Sequence, residues 1–182
     1  KEVAVKNLLN ADGLRYILSN LHTNFIQFPP LPTVITLMIG VGVAEESGMF
    51  RAVLRRTLAG VPKMWVTTAV IFLGICANLM SDAGIVFFPV LSGIVFAGAG
   101  RNPLLGIAAG YAAVSGGFCA NILITTNDVA LIGITQAVLD VLPITKDYPA
   151  HLAMNWYFMI ISTIFLVPIG VWITERLVAP ML

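Results

Sequence analysis

Asn78-Leu79-Met80-Ser81-Asp82-Ala83-Gly84 breaks into a long run of apolar sequence, and Ser115-Gly116-Gly117-Phe118-Cys119-Ala120-Asn121 breaks into it again downstream. The polar cluster Thr125-Thr126-Asn127-Asp128 follows the second break closely. Irregular polar backbone at membrane depth survives only where it is buried in protein or lines a wet cavity, because an unsatisfied amide facing lipid costs several kcal/mol. The two breaks are therefore the candidate transport site. Everything around them reads as the scaffold that holds them.

That scaffold is a membrane one. Hydrophobic residues make up 58% of the 182 residues and charged residues 10%, against the roughly 25% charged of a soluble domain. Mean hydropathy is +0.93. At ~20 residues per full helix the length allows about five or six spanning or half-spanning elements. The fold class expected is all-α: a polytopic integral membrane protein with broken helices and a re-entrant hairpin. Residues 1–182 read as a single membrane unit, an internal piece of a longer chain, with 1–30 an amphipathic interfacial segment and 31–182 the transmembrane and hairpin elements.

Composition also excludes functions. A net charge of +1, with no basic stripe interleaved with aromatics, argues against nucleic-acid binding. Cys76 and Cys119 lie in apolar runs without His or Cys at metal-ligand spacing, so buried free thiols are expected and no metal site. No Gly-rich loop carries the Lys and Ser/Thr of a nucleotide site, and Ser81 has no nearby base. The chain reads as a non-enzyme without a cofactor.

Along the chain, Leu14, Ile17, Leu18, Leu21 and Phe25 recur at helical spacing, with Asn10 placed as the cap. That suits a helix lying in the interface or packed on the side of a bundle. The apolar stretch from Thr33 to Ala44 is short for a span, so it is tilted, extended through Glu45, or broken near Gly40 and Gly42. Glu45-Glu46, before the basic stretch of Arg51, Arg55 and Arg56, reads more simply as an interfacial anchor than as a buried pair. Met64 to Met80 nearly spans, with Trp65 as an interfacial anchor. Ile85 to Ala99 carries Pro89, Leu104 to Val114 leads into the second break, and residues 142–155 read as an aqueous loop. Trp156 to Val178 is the cleanest full span. A single topology places Arg51, Arg55, Arg56, Lys63, Arg101 and Arg176 on the cytoplasmic side, with both breaks on stretches leaving that side.

Two readings stand for each polar residue in the breaks. Asp82 has no basic neighbour in sequence nearer than Lys63 and Arg101, so it is either a proton or sodium carrier or the cap of the following helix. Asn78 either meets a substrate carboxylate or a cation, or makes interhelical hydrogen bonds. Ser115-Gly116-Gly117 has the composition for unwound backbone, since paired glycines allow positive φ, and Asn121 lies just beyond it. Its competitor is a small-residue packing seam with Gly106, Gly110 and Ala113. Thr125 to Asp128 is a hairpin tip at the site or, with a slight advantage, a turn capping the next helix. Phe87, Phe88 and Tyr111 are available to stack on a ring, although packing is the commoner use of aromatics.

Several of these motifs occur together, in order, in one known group. Asn7-Leu8-Leu9-Asn10-Ala11-Asp12-Gly13, Val43-Ala44-Glu45-Glu46-Ser47-Gly48, Ser81-Asp82-Ala83-Gly84, Ser115-Gly116-Gly117-Phe118 and Asn155-Trp156-Tyr157-Phe158 resemble the p-aminobenzoyl-glutamate transporter (AbgT) family. The resemblance covers nearly the whole chain and part of a member's N-terminal half. It implies an ion-coupled, inverted-repeat transporter of the bacterial-type cytoplasmic (inner) membrane, assembled as a homodimer. It further implies substrates such as p-aminobenzoyl-glutamate and related aromatic carboxylates, or export of sulfonamide-type antimetabolites. Carried onto this sequence, the hairpin falls on Asn78, Ser81, Asp82 and Gly84, the unwound helix on Ser115, Gly116, Gly117 and Asn121, and ion coupling by proton or sodium on Asp82 or Asp128. A short-chain fatty-acid or dicarboxylate carrier and a non-transporting membrane scaffold subunit are the alternatives.

Overall fold

The computed structural model describes residues 8–28, 31–80, 82–141 and 149–182, and among them it contains helices and turns but no strand. The helices are α1 (Ala11–Ile26), α2 (Leu31–Glu46), α3 (Met49–Ala59), α4 (Val66–Cys76), α5 (Asp82–Gly98), α6 (Pro103–Gly116), α7 (Thr126–Val141) and α8 (Trp156–Ile173). Short 3-10 turns, Lys63–Trp65 and Ala77–Met80, extend α4 at both ends, and a π-helical turn, Thr174–Val178, extends α8. Lys63–Met80 and Trp156–Met181 are the two described runs long and apolar enough to cross a membrane. α5 and α6 are shorter: at 1.5 Å per residue they reach about 25 Å and about 21 Å, less than a ~30 Å hydrocarbon core.

α4, α5 and α6 form the centre, where Val70, Ile75, Phe88, Phe96 and Val114 are all but completely buried. Without a hydrophobic force between lipid-solvated helices, close backbone approach has to hold them, and small residues permit it. Gly106 faces Ser92 and Phe96 of α5, and a Cβ there would lie 2.6 Å from the Ser92 carbonyl oxygen. Gly110 faces Ser92 and Pro89 in the same way. Gly74 of α4 meets Ala113 and Phe88, and Gly170 of α8 meets Ile71. The packing seam through Gly106, Gly110 and Ala113 is thus present.

The turn between α5 and α6 is set by its sequence. Gly100 takes φ 78°, the left-handed conformation open to glycine. Its amide bonds the Ala97 carbonyl at 3.0 Å while the Arg101 amide reaches back to Phe96 at 2.9 Å, a Schellman close. Asn102 then caps α6 through the Leu104 amide at 3.0 Å, and Pro103 fills the first helical position.

At the periphery, Asn10 caps α1 by accepting from the Gly13 amide at 2.7 Å. Leu14, Ile17, Leu18, Leu21 and Phe25 all stay exposed, so α1 does not pack on this bundle. α2 runs unbroken through Gly40 and Gly42 to Glu46, so the stretch is extended through Glu45 and not broken at the glycines. Asp128 caps the start of α7 by reaching back, as the acidic member of a capping box does: its Oδ2 accepts from the Thr125 amide and hydroxyl, both at 2.7 Å. Residues 142–148 of the expected aqueous loop fall outside the described residues.

Candidate functional site

The two breaks lie against each other. α4, extended by its 3-10 turn, carries Asn78 to the end of α6, where its amide nitrogen donates to the Ile75 carbonyl at 3.0 Å, Val114 at 3.2 Å and Gly117 at 3.2 Å. Asn78 therefore makes the interhelical bonds of the plainer reading, and it ties the first break to the second. Its Oδ1 is buried without a partner. Asn121, 2% exposed, turns its Oδ1 onto the amides of Ile122 and Leu123 at 2.8 and 3.2 Å, and its Nδ2 is likewise buried without a partner. Buried polar atoms are nearly always satisfied. One orphan acceptor and one orphan donor thus lie at the two breaks, both sealed inside the protein.

The breaks are shorter than expected. Asn78 to Met80 lie in a 3-10 turn, and Asp82, Ala83 and Gly84 already belong to α5. Ser81 and the Asp82 side chain fall outside the described residues. Gly84 is buried against the Ala77 carbonyl, with no space for a Cβ. Ser115 and Gly116 remain helical and exposed, so unwinding begins at Gly117 rather than at Ser115. Gly117 has φ −93°, not a positive value. Its glycine is required by space instead: a Cβ would lie 2.6 Å from Ile75 Cγ1 and 2.7 Å from the Ala113 carbonyl. Cys119 is exposed in the resulting loop, not buried as expected, while Cys76 is half-buried.

An apolar cleft of about 480 Å³ opens beside the breaks, lined by Leu79, by Ile124, Thr125, Thr126 and Val129, and by Thr36, Leu37 and Val41 of α2. Leu79 follows Asn78 directly, and the 124–126 segment leads from Asn121 to the capping carboxylate of Asp128. Trp156 closes the far side of the second break by donating from Nε1 to the Ile122 carbonyl at 2.7 Å. Of the aromatics considered for stacking, Phe88 is in the core, Phe87 sits beneath Arg51 and Tyr111 is exposed. None of the three lines this cleft.

At the opposite end of the bundle is a cluster that sequence reasoning missed. Arg101 forks onto Glu175, Nη1 to Oε1 at 2.7 Å and Nη2 to Oε2 at 2.8 Å. Its Nη1 also donates to the Thr67 hydroxyl at 2.6 Å, and that hydroxyl donates to Glu175. Arg101 stacks over Phe96 at 4.9 Å. The start of α4, the α5–α6 turn and the end of α8 are thereby fixed at one end of the bundle. A bidentate, stacked guanidinium is not replaceable by an ammonium. Arg101→Ala is expected to cost about 1–3 kcal/mol in the full-length protein, read as a lowered melting temperature, with Arg101→Lys recovering only part. An unchanged melting curve for Arg101→Ala would remove the cluster from the stability of the fold.

The pairing of a 3-10 break with an unwound helix end can be compared with known proteins. The model of the AbgT putative transporter family matches residues 1–182. The chain belongs to that family. It is 36% identical over 183 residues to the p-aminobenzoyl-glutamate transport protein of Escherichia coli strain K12, covering 99% of this chain and 35% of that protein. The YdaH transporter of Alcanivorax borkumensis, whose crystal structure is described as having an unusual topology, superposes with TM-score 0.81 at 38% identity, over 97% of this chain and 37% of that one. Neisseria gonorrhoeae MtrF, described as illuminating a class of antimetabolite efflux pumps, superposes with TM-score 0.79 at 42% identity, over 99% and 35%. The chain thus spans about a third of the length of these relatives. They are transporters rather than enzymes, and this AbgT-family chain is an all-helical membrane protein with the fold of the corresponding part of those structures.

Proposed function

We propose that the chain supplies part of the binding core of a secondary active, ion-gradient-coupled transporter for p-aminobenzoyl-glutamate, related aromatic carboxylates or sulfonamide-type antimetabolites. The observation that carries this reading is the joining of the two breaks through Asn78, whose neighbour in sequence, Leu79, lines an apolar cleft together with the segment that follows Asn121. A mostly apolar cleft with a few polar groups, here Thr36, Thr125 and Thr126, is the usual form of a small-molecule site, and it suits a ligand with an aromatic body and a polar end. Broken helices are where transporters of this general kind place substrate and ion together.

In this proposal Asn78, Gly84, Gly117 and Asn121 shape the site, Ser81 contributes to substrate binding, and Ser115 and Gly116 face the complementary part of the full-length transporter. Asp82 takes the ion-coupling role, by proton or sodium. Asp128, whose Oδ2 is held by Thr125, secures the loop bordering the cleft. The chain forms one half of an inverted repeat, and the full protein works as a homodimer in the bacterial inner membrane. The naming of the Escherichia coli relative as a p-aminobenzoyl-glutamate transport protein and the description of Neisseria gonorrhoeae MtrF as illuminating a class of antimetabolite efflux pumps support the substrate class.

The test is Asp82→Asn in the full-length protein reconstituted into vesicles. Gradient-driven flux of p-aminobenzoyl-glutamate is expected to fall by about tenfold or more, equivalent to ~1.4 kcal/mol in the transport barrier, with normal membrane insertion. Wild-type flux in that variant removes Asp82 from the mechanism. Competition by short-chain fatty acids or dicarboxylates, without competition by sulfonamides, would move the substrate class to the alternative carriers.

A further inference from the structure

α3 presents a basic surface that the transport reading leaves unused. The helix buries Leu54 and Leu58 and leaves Arg51, Arg55 and Arg56 exposed. With Ala52, Ala59 and Phe87 of α5, these arginines line an open groove of about 590 Å³. The Arg51 guanidinium lies 5.5 Å from the centre of the Phe87 ring, which holds the side chain across the groove floor by a cation–π contact. Among the described residues the one ion pair is Arg101 with Glu175, so no described carboxylate neutralises the three guanidiniums, Glu45 and Glu46 included.

The neighbours of these arginines point to where the groove sits. Met49 and Val53 on the same helix are 50% and 57% exposed, and Met64 and Trp65 in the next turn are 81% and 55% exposed. Unpaired arginines flanked by exposed apolar side chains suit neither bulk water nor hydrocarbon. They suit the headgroup level of a bilayer, where the apolar groups reach the acyl chains and the guanidiniums stay among the phosphates. The groove runs along α3 from the level of Phe87, in the first half of α5, to Ala59 at the end of the helix, and a basic surface of this kind is favoured on the side of the membrane rich in anionic lipid.

We propose that the groove between α3 and α5 binds the headgroup of an anionic phospholipid. Arg55 and Arg56 grip the phosphodiester, for which a planar guanidinium offers paired donors. Arg51, placed by Phe87, closes over the headgroup, and Ala52 and Ala59 leave room for it between the longer side chains. The bound lipid pins α3 to α5 from outside and so steadies the hairpin on which the transport site depends.

The test uses the purified full-length protein in phosphatidylcholine, with phosphatidylglycerol or inorganic phosphate added. Phosphatidylglycerol is expected to raise the melting temperature and to be retained in native mass spectra. Arg55→Gln with Arg56→Gln should weaken that effect by about tenfold or more, ~1.4 kcal/mol, without changing the melting point in phosphatidylcholine alone. Arg51→Lys, which keeps the charge and loses the fork, should weaken it less and serves where the double variant fails to fold. An undiminished phosphatidylglycerol effect in the variant that folds overturns the proposal. Inorganic phosphate matching phosphatidylglycerol would also overturn it, by showing a site for soluble anions. A photo-reactive probe at Ala52 is expected to label lipid; labelling of another protein segment instead would assign the groove to protein and sink the lipid reading.

Discussion

Gly106→Val should drive α5 and α6 apart and leave the full-length protein poorly folded in the membrane. The reason is the identity of the atoms in the way. A Cβ at position 106 would meet the backbone oxygen of Ser92 at 2.6 Å and Phe96 Cβ and Cγ at 2.8 Å. None of these is the free end of a flexible side chain, so relief requires a shift of the helix itself. Overpacking of a tight interior costs about 1–3 kcal/mol where side chains can yield, and the upper end or beyond is expected where they cannot. One turn along, at Gly110, the seam is as tight: the Ser92 hydroxyl faces that glycine, is fully buried and already donates to the Phe88 carbonyl at 2.8 Å. Gly98→Ala is the control, because a Cβ there meets nothing within 4 Å. Thermal unfolding with size-exclusion chromatography should show Gly106→Val unstable or aggregated and Gly98→Ala near wild type. A monodisperse Gly106→Val protein with wild-type melting would mean that the α5–α6 seam is not as tight as described.

The same seam shows what was legible in the sequence and what was not. Apolar run length located α4, α5, α6 and α8, and the spacing of Gly106, Gly110 and Ala113 exposed the contact face, because small residues at helical intervals are the direct trace of close packing. The second break was placed too early for a related reason. Ser115 and Gly116 have the weak helix preference of a loop, but preference is a small term beside packing, and the helix continues until Gly117. What makes Gly117 a glycine is Ile75 on another helix, and no local pattern reports a neighbour that far away. Arg101 and Glu175 are 74 residues apart, and their pairing depends on which helix ends meet. Their charges were visible and their partnership was not. The exposure of Cys119 follows from the same shift of the break, since a residue two past Gly117 leaves the packed helix face.

Replacing Asn78 with Leu should uncouple the two breaks and abolish transport more completely than it destabilises the bundle. Leucine has the branching of asparagine and is at home in the apolar surroundings of Val70, Ile75 and Val114, so the adjustment it needs is a local one, where a methyl replaces the nitrogen beside the three carbonyls. What is lost is the donor shared by the Ile75, Val114 and Gly117 carbonyls. Gly117 retains one bond, from the Ala120 amide at 2.9 Å, so the heaviest loss falls on the contact from α4 to the last turn of α6. A buried acceptor left without its partner costs about 1–3 kcal/mol, and with Gly117 still bonded that scale applies to the Val114 carbonyl, softened by any water that enters. Asn78→Asp should be worse, because it loses the donors and turns an anionic oxygen toward the same carbonyls. Hydrogen exchange on the full-length protein separates a local effect from a global one. Amides from Gly117 to Thr125 should exchange faster in Asn78→Leu while those around Ser92 and Phe96 keep their protection, and flux of p-aminobenzoyl-glutamate in vesicles should be lost. Unchanged exchange in that loop together with wild-type flux would show that Asn78 is ordinary packing. In that case the joining of the breaks could no longer carry the transport reading.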